Sequence, residues 1–213
     1  MNPRLWLAAF ALACFLAGCA KSSSSLEQSW KSPAFQGGPV QKVAVIAIDD
    51  RGLIRQGFEN RFVRDFRAQG QEALVTHELL SLTEIKADKK AAADRFLAAG
   101  ADTVLIVRLV DRVNYNKEVR ATPEMYAPIV IGAEGHYGWY EYYSVAYMDM
   151  STVWGVDIQK VYLDTSLFDL KTGRKLWSAL TLTTFKGDAD RLAEWDVLIA
   201  KVVDALRKDG MVR

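Results

Sequence analysis

Val40-Gln41-Lys42-Val43-Ala44-Val45-Ile46-Ala47-Ile48 decides the fold of this 213-residue chain. It is an apolar, β-branched run with no alternation after Lys42, the pattern of a central strand covered on both faces. Asp49-Asp50-Arg51-Gly52 follows as a turn. A helix comes next, with Phe58, Phe62, Val63 and Phe66 on one face, charges opposite, and Gly70 placed to stop it. Glu72 to Thr76 reads as a second strand. Ser81 and Glu84 have capping-box spacing and open a helix that runs through Lys89, Phe96 and Leu97 to Gly100. Thr103 to Val113 is a third strand. This βαβαβ series predicts a partly parallel sheet with right-handed crossovers.

The second half changes character. Val156 to Phe168 and Lys175 to Phe185 read as two long strands, joined through Asp169-Leu170-Lys171-Thr172-Gly173 as a hairpin. Asp188 is placed to cap a final helix with the stripe Leu192, Trp195, Ile199, Val202 and Leu206, and Gly210 stops it. The expected fold is α/β. It is a single α/β sandwich domain with a mixed sheet, βαβαβ followed by an antiparallel hairpin and a C-terminal helix.

The series KVAVIAI, GADTVLIVRL, LDTSLFDLKTGRKLWSA and a closing amphipathic helix resembles small periplasmic lipoproteins of the LpoB and curli-secretion (CsgG) amino-terminal-domain type. The TolB amino-terminal domain shares that general fold. The resemblance covers residues 40 to 212 and rests on element order plus the hairpin residues Asp169, Thr172, Gly173 and Trp177. It implies a non-enzymatic assembly or partner-binding module. The chain departs from the penicillin-binding-protein activators in its shorter tether, and from the curli channel in having no long amphipathic membrane-inserting pair.

The amino terminus supplies an address. Arg4 is a short positive start, and Leu5 to Ala17 is almost wholly apolar but shorter than the 20 or so residues that span a bilayer. Leu16-Ala17-Gly18-Cys19 resembles the lipobox of bacterial lipoproteins. The resemblance implies that residues 1–18 are a signal peptide and that Cys19 takes a diacylglycerol thioether, with a further acyl group such as palmitate on its new amino group. Two acyl chains give stable anchoring, at about 0.8 kcal/mol per buried methylene. An uncleaved signal anchor is the alternative. Ala20, in place of the aspartate that retains such proteins at the inner membrane of enteric bacteria, favours the outer membrane, facing the periplasm. Lys21 and Ser22 resemble a retention signal of some other proteobacteria.

Cys14 and Cys19 are the only cysteines. Cleavage removes the first and acylation blocks the second, so a core and not a disulfide must hold the domain. Residues 20–38, with Ser22 to Ser25, Pro33, Gly37 and Gly38, show no helical or strand period and read as a flexible tether. Such a tether spans about 60 Å extended and about 25 Å as a coil. The domain is expected over residues 40–213.

The chain carries 27 Lys+Arg and 26 Asp+Glu. Arg4 is the only charge before Cys19, so cleavage leaves 26 of each. A neutral body without a polybasic tract is a poor binder of nucleic acid or anionic lipid.

Residues 114–155 form an insertion that holds Tyr115, Tyr126, Tyr137, Tyr140, Tyr142, Tyr143 and Tyr147, all but one of the 8 tyrosines, with Trp139 and Trp154 among them. Insertions of this length are usually functional or mobile, and tyrosine and tryptophan suit partner surfaces. Trp139, Tyr140, Tyr142, Tyr143 and Tyr147 are the expected partner-binding residues. Alternatives are a hairpin whose aromatics pack on the sheet, a glycan surface, and contact with lipid headgroups.

Catalytic signals are weak. Asp49 and Asp50 end the first strand, where α/β folds place ligands, and could hold a hard cation. The competing reading is a turn and helix cap. His77 and His136 are the only histidines, and neither has zinc-motif spacing with Glu78 or Glu134. No Gly-x-Ser-x-Gly elbow or Walker loop occurs, and Glu134 or Glu141 with Asp149 or Asp157 is a chance carboxylate pair. The expected function is a lipid-anchored periplasmic binding or assembly module with no catalytic residues, metal or cofactor. Its partners are the membrane, through the anchor, and an envelope protein, with self-association through an edge strand of the hairpin as a third reading. The alternative is a cell-wall-associated enzyme or cation-dependent protein using Asp49 and Asp50.

Overall fold

A computed structural model describes residues 23–113, 138–140, 160–185 and 191–213. Among the described residues, six strands form one mixed sheet. They are β1 (Ser23–Lys31), β2 (Lys42–Ile48), β3 (Glu72–Val75), β4 (Thr103–Val113), β5 (Lys160–Asp169) and β6 (Lys175–Thr184), in the order β1-β6-β5-β4-β2-β3. The helices that accompany them are α1 (Gly52–Ala68), α2 (Leu82–Ala87), α3 (Lys89–Ala98) and α4 (Arg191–Lys208). The α/β sandwich with its mixed sheet is therefore as read from the sequence.

β2 lies parallel to both β3 and β4, because a helical crossover precedes each of them. The other pairings are antiparallel. Every residue of β2 from Val43 to Ile48 is buried, which accounts for its unbroken apolar run. Alternate residues feed two cores. Val43, Val45 and Ala47 face α1 and α4, with Phe62, Phe66, Ile199 and Val202. Ala44, Ile46 and Ile48 face α2 and α3, with Ile85, Ala92 and Phe96.

One local departure has a clear cause. The helix expected from Ser81 to Gly100 is broken at Asp88, which ends α2 and whose carboxylate accepts from the Ala91 N–H at 2.8 Å to start α3. The capping box itself is present: Ser81 Oγ accepts from the Glu84 N–H at 3.2 Å, and the Ser81 N–H donates to the Glu84 carboxylate at 2.7 Å. The β5–β6 hairpin closes on Gly173 at φ +71°, while Asp169 accepts from the Thr172 N–H at 2.6 Å.

The larger correction concerns the tether. Residues 23–31 are not flexible chain but the edge strand β1, antiparallel to β6 from Ser23↔Thr184 to Lys31↔Trp177, with a bulge between Leu26 and Gln28. Ser24 is buried and its hydroxyl meets that of Thr183 at 2.9 Å; most of the strand is exposed. An edge strand with one face and one edge in water has no need of apolar alternation, and serine, glutamate and lysine there discourage edge-to-edge pairing. Asp188, the expected cap of α4, lies outside the described residues.

Candidate functional site

The strand register defines two ends of the sheet. Ser23 of β1 pairs with Thr184, Thr184 with Lys160, and Lys160 with Val113. The chain thus enters β1, leaves β4, re-enters at β5 and leaves β6 at one end, called here the leading end. Ile48 pairs with Arg108, so β2 points its carboxyl terminus the same way, and α1 starts from there. The hairpin at Asp169–Arg174 marks the opposite end.

A cavity of about 130 Å³ opens toward the leading end, between the sheet and the first turns of α1 and α4. Ile54, Phe58, Leu109, Val161, Leu163 and Trp195 give it a mainly apolar wall. Phe58 and Trp195 pack with ring centroids 4.4 Å apart, and this contact joins α1 to α4. Clefts at the carboxyl ends of parallel strands are where α/β sheets hold ligands.

Asp49 stands at the rim, and Asp50 after it is exposed. Asp49 accepts from the Arg51 backbone N–H at 3.0 Å and from its Nε at 2.8 Å. The hydrogen bond to Asp49 holds the Arg51 guanidinium above its ordinary pKa against the effect of burial. Asp49 is thus a turn-forming group already neutralised by its neighbour. It does not cap the helix: Arg51 occupies that position, and no side-chain bond is made there. Among the described residues no three His, Cys, Asp or Glu side chains gather as metal ligands.

Behind the cleft lies a polar cluster that sequence reasoning missed. Glu59, on the buried face of α1, is 0% exposed. It accepts from Arg55 Nε at 2.8 Å, from the Thr76 and His77 N–H groups at 2.8 Å each, and from the Ala47 N–H at 3.3 Å. His77 Nδ1 lies 2.8 Å from the same carboxylate. Arg55 in turn donates to Thr76 Oγ1 at 3.0 Å and to the Leu80 carbonyl at 2.9 Å. A buried charge persists only when paired and hydrogen-bonded in this way. The cluster ties α1 to the ends of β2 and β3, and it accounts for His77 without a metal. Its one sequence signal is the four-residue spacing of Arg55 and Glu59, which is also the spacing of ordinary solvent-facing pairs. His136 and Glu134 lie outside the described residues.

A second buried pair sits on the other face of the sheet. Arg108 and Asp164 are cross-strand partners, with Nε 3.2 Å from the carboxylate, and Ser166 Oγ donates to Asp164 at 3.2 Å. Nearby, burial lowers the Lys175 pKa, with Asp164 opposing that shift and Arg108 adding to it.

The expected contact surface needs correction at its centre. Trp139 is 0% exposed and belongs to the core formed with Ile85, Phe96, Phe168 and Leu170. Its backbone N–H donates to the Gly173 carbonyl at 3.1 Å, beside the β5–β6 hairpin. Tyr140 is half-buried and packs on it, ring centroids 4.7 Å apart. Trp139 is therefore a core residue and not an exposed anchor. Tyr142, Tyr143, Tyr147 and Cys19 lie outside the described residues. No helix among the described residues is long and apolar enough to cross a membrane.

No protein-family model matches the chain, and no curated protein sequence matches it. Among solved structures it is similar to the PelC dodecamer of Paraburkholderia phytofirmans, at 16% identity over 90% of this chain and 99% of that one, with a TM-score of 0.49. A leucine-to-methionine variant of the same dodecamer aligns at 17% identity over 87% and 98%, with a TM-score of 0.46. Lipoprotein GNA1162 of Neisseria meningitidis aligns at 13% identity over 78% of this chain and 96% of that one, with a TM-score of 0.40.

Proposed function

We propose that this chain is a lipid-anchored, non-catalytic binding or assembly module of the bacterial envelope, held at the outer membrane and facing the periplasm. The observation that carries the reading is Leu16-Ala17-Gly18-Cys19 placed directly after a short apolar run and directly before a folded sheet. Two acyl chains on Cys19 are sufficient for stable attachment without a spanning helix. Membership of the LpoB-like periplasmic group belongs to this proposal as well.

The partner is an envelope protein. With Trp139 in the core, the contact surface reduces to Tyr142, Tyr143 and Tyr147, with Tyr140 at its margin. Self-association is the second reading: β1 covers β6, so the hairpin offers no free edge, and pairing between copies would have to use the backbone edge of β1 itself. The mass of the particle in solution distinguishes one copy from several.

Fractionation tests the anchoring. In the producing bacterium the unaltered chain is expected in the membrane fraction and the Cys19→Ala chain in the soluble or unprocessed pool. Equal membrane retention of a processed Cys19→Ala chain contradicts the reading.

A further inference from the structure

We infer that the leading end of the sheet is a bilayer-contact surface, with Leu53 seated among the lipid headgroups. The inference rests on acylation at Cys19 and adds which side of the domain meets the membrane.

The first ground is the length of the leash. Ser23 is already paired with Thr184 in β1. The four steps from Cys19 to Ser23 span at most about 14 Å. A tether running to residue 38 would let the body tumble freely; a leash of four residues does not. It holds the end of the sheet bearing Ser23, Thr184, Lys160 and Val113 close to the acyl chains. The β5–β6 hairpin then stands further out by the length of β5, about 30 Å at 3.3 Å per residue.

The second ground is what that end exposes. Leu53 is 84% exposed, whereas the other exposed large apolar side chains among the described residues, Leu26, Leu79 and Val197, reach only 38–45%. Leu53 lies in the first turn of α1, which follows β2 toward the leading end; β2 stops at Ile48, level with Arg108, so this turn is set back from the Val113 rung. At roughly 100° per residue it points away from the stripe of Phe58, Phe62 and Phe66 that packs on the sheet. Among the described residues neither core cluster includes it. Ile54, the next residue in the same turn, and Trp195 are half-buried and line the cleft. At the rim Asp49 and Arg51 neutralise each other, and Asp50 is exposed to water. That combination suits headgroup depth and not the hydrocarbon interior, the level at which tryptophan and short apolar patches settle.

Fluorescent labels on the full-length lipoprotein test this. The chain is purified from its producing membranes with either Leu53→Cys or Lys171→Cys, labelled with an environment-sensitive dye, and reconstituted into phosphatidylethanolamine–phosphatidylglycerol vesicles. Acylation leaves Cys19 no thiol, so the dye reports one site. Lipids carrying a nitroxide near the headgroup are expected to quench the dye at position 53 several-fold more than at position 171, which lies in the distal hairpin. Equal quenching at the two positions in a sample whose intact mass shows acylation overturns the orientation and leaves the anchoring standing. A mass without acyl groups overturns both.

Discussion

Replacing Trp139 with alanine is expected to destabilise the domain by about 3–5 kcal/mol, the usual cost of deleting a large aromatic side chain from a core. For a chain of this length that corresponds to a fall in Tm of about 10 °C. The ring is fully buried against Ile85, Phe96, Phe168 and Leu170, and its backbone is bonded to Gly173. Removing it leaves a cavity beside the β5–β6 hairpin that neighbours on the sheet and two helices cannot fill by small shifts. Equilibrium denaturation of the Trp139→Ala variant measures the effect. The combined alanine variant of Tyr142, Tyr143 and Tyr147 is the contrasting case: as a contact surface, these residues are expected to change partner capture with Tm nearly unaltered. A Trp139→Ala protein as stable as its parent contradicts the placement of this residue in the core.

Glu59→Ala is expected to cost a similar amount, about 3–5 kcal/mol, for a different reason. The substitution removes little apolar contact. It leaves the Arg55 guanidinium buried without its carboxylate, and the N–H groups of Thr76 and His77 without their acceptor. Uncompensated buried charge, not lost packing, sets the size of the loss. The pair couples: an Arg55→Met, Glu59→Leu double variant is expected to lose less than the sum of the Arg55→Met and Glu59→Leu single variants, because it removes both charges together. Additive losses in a double-mutant cycle would show that the two side chains act independently. Opening of the β2 and β3 ends should accompany the loss, since Glu59 holds the Ala47 and Thr76 backbones together. Faster amide exchange at those two residues in Glu59→Gln checks that second consequence.

Much of the architecture was legible because burial writes itself into residue type. β2 is covered on both faces and reads as an unbroken apolar run; α1 is covered on one face and reads as a stripe. The β5–β6 hairpin was legible from Asp169 and Gly173, whose turn geometry needs those residues. β1 was not, because an edge strand incurs no penalty for polar side chains and its pairing is through the backbone, which composition does not record. The break at Asp88 was hidden for a related reason. Asp88 serves the end of one helix and the start of the next, whereas the apolar period continues across it.

The site was less legible than the fold. Glu59 and Arg55 have the spacing of a surface ion pair, and only the packing of α1 against the strand ends turns them inward. Trp139 sits in a tyrosine-rich stretch, and an aromatic residue looks the same in sequence whether it packs on a sheet or awaits a partner. Asp49 and Asp50 do stand at strand ends, where ligands are often held, but the residue that engages Asp49 is its own neighbour Arg51. Adjacent residues in a turn can satisfy each other, and no spacing rule distinguishes that from a vacant coordination site.

The proposed anchor at Cys19 carries both the proposed address of the protein and the proposed orientation of its domain, and intact-mass spectrometry of the chain isolated from its own membranes tests it most directly. A chain that begins at Cys19 and carries the added mass of a diacylglycerol and one further acyl group is the predicted result. A chain that retains residues 1–18 with an unmodified Cys19 thiol contradicts it.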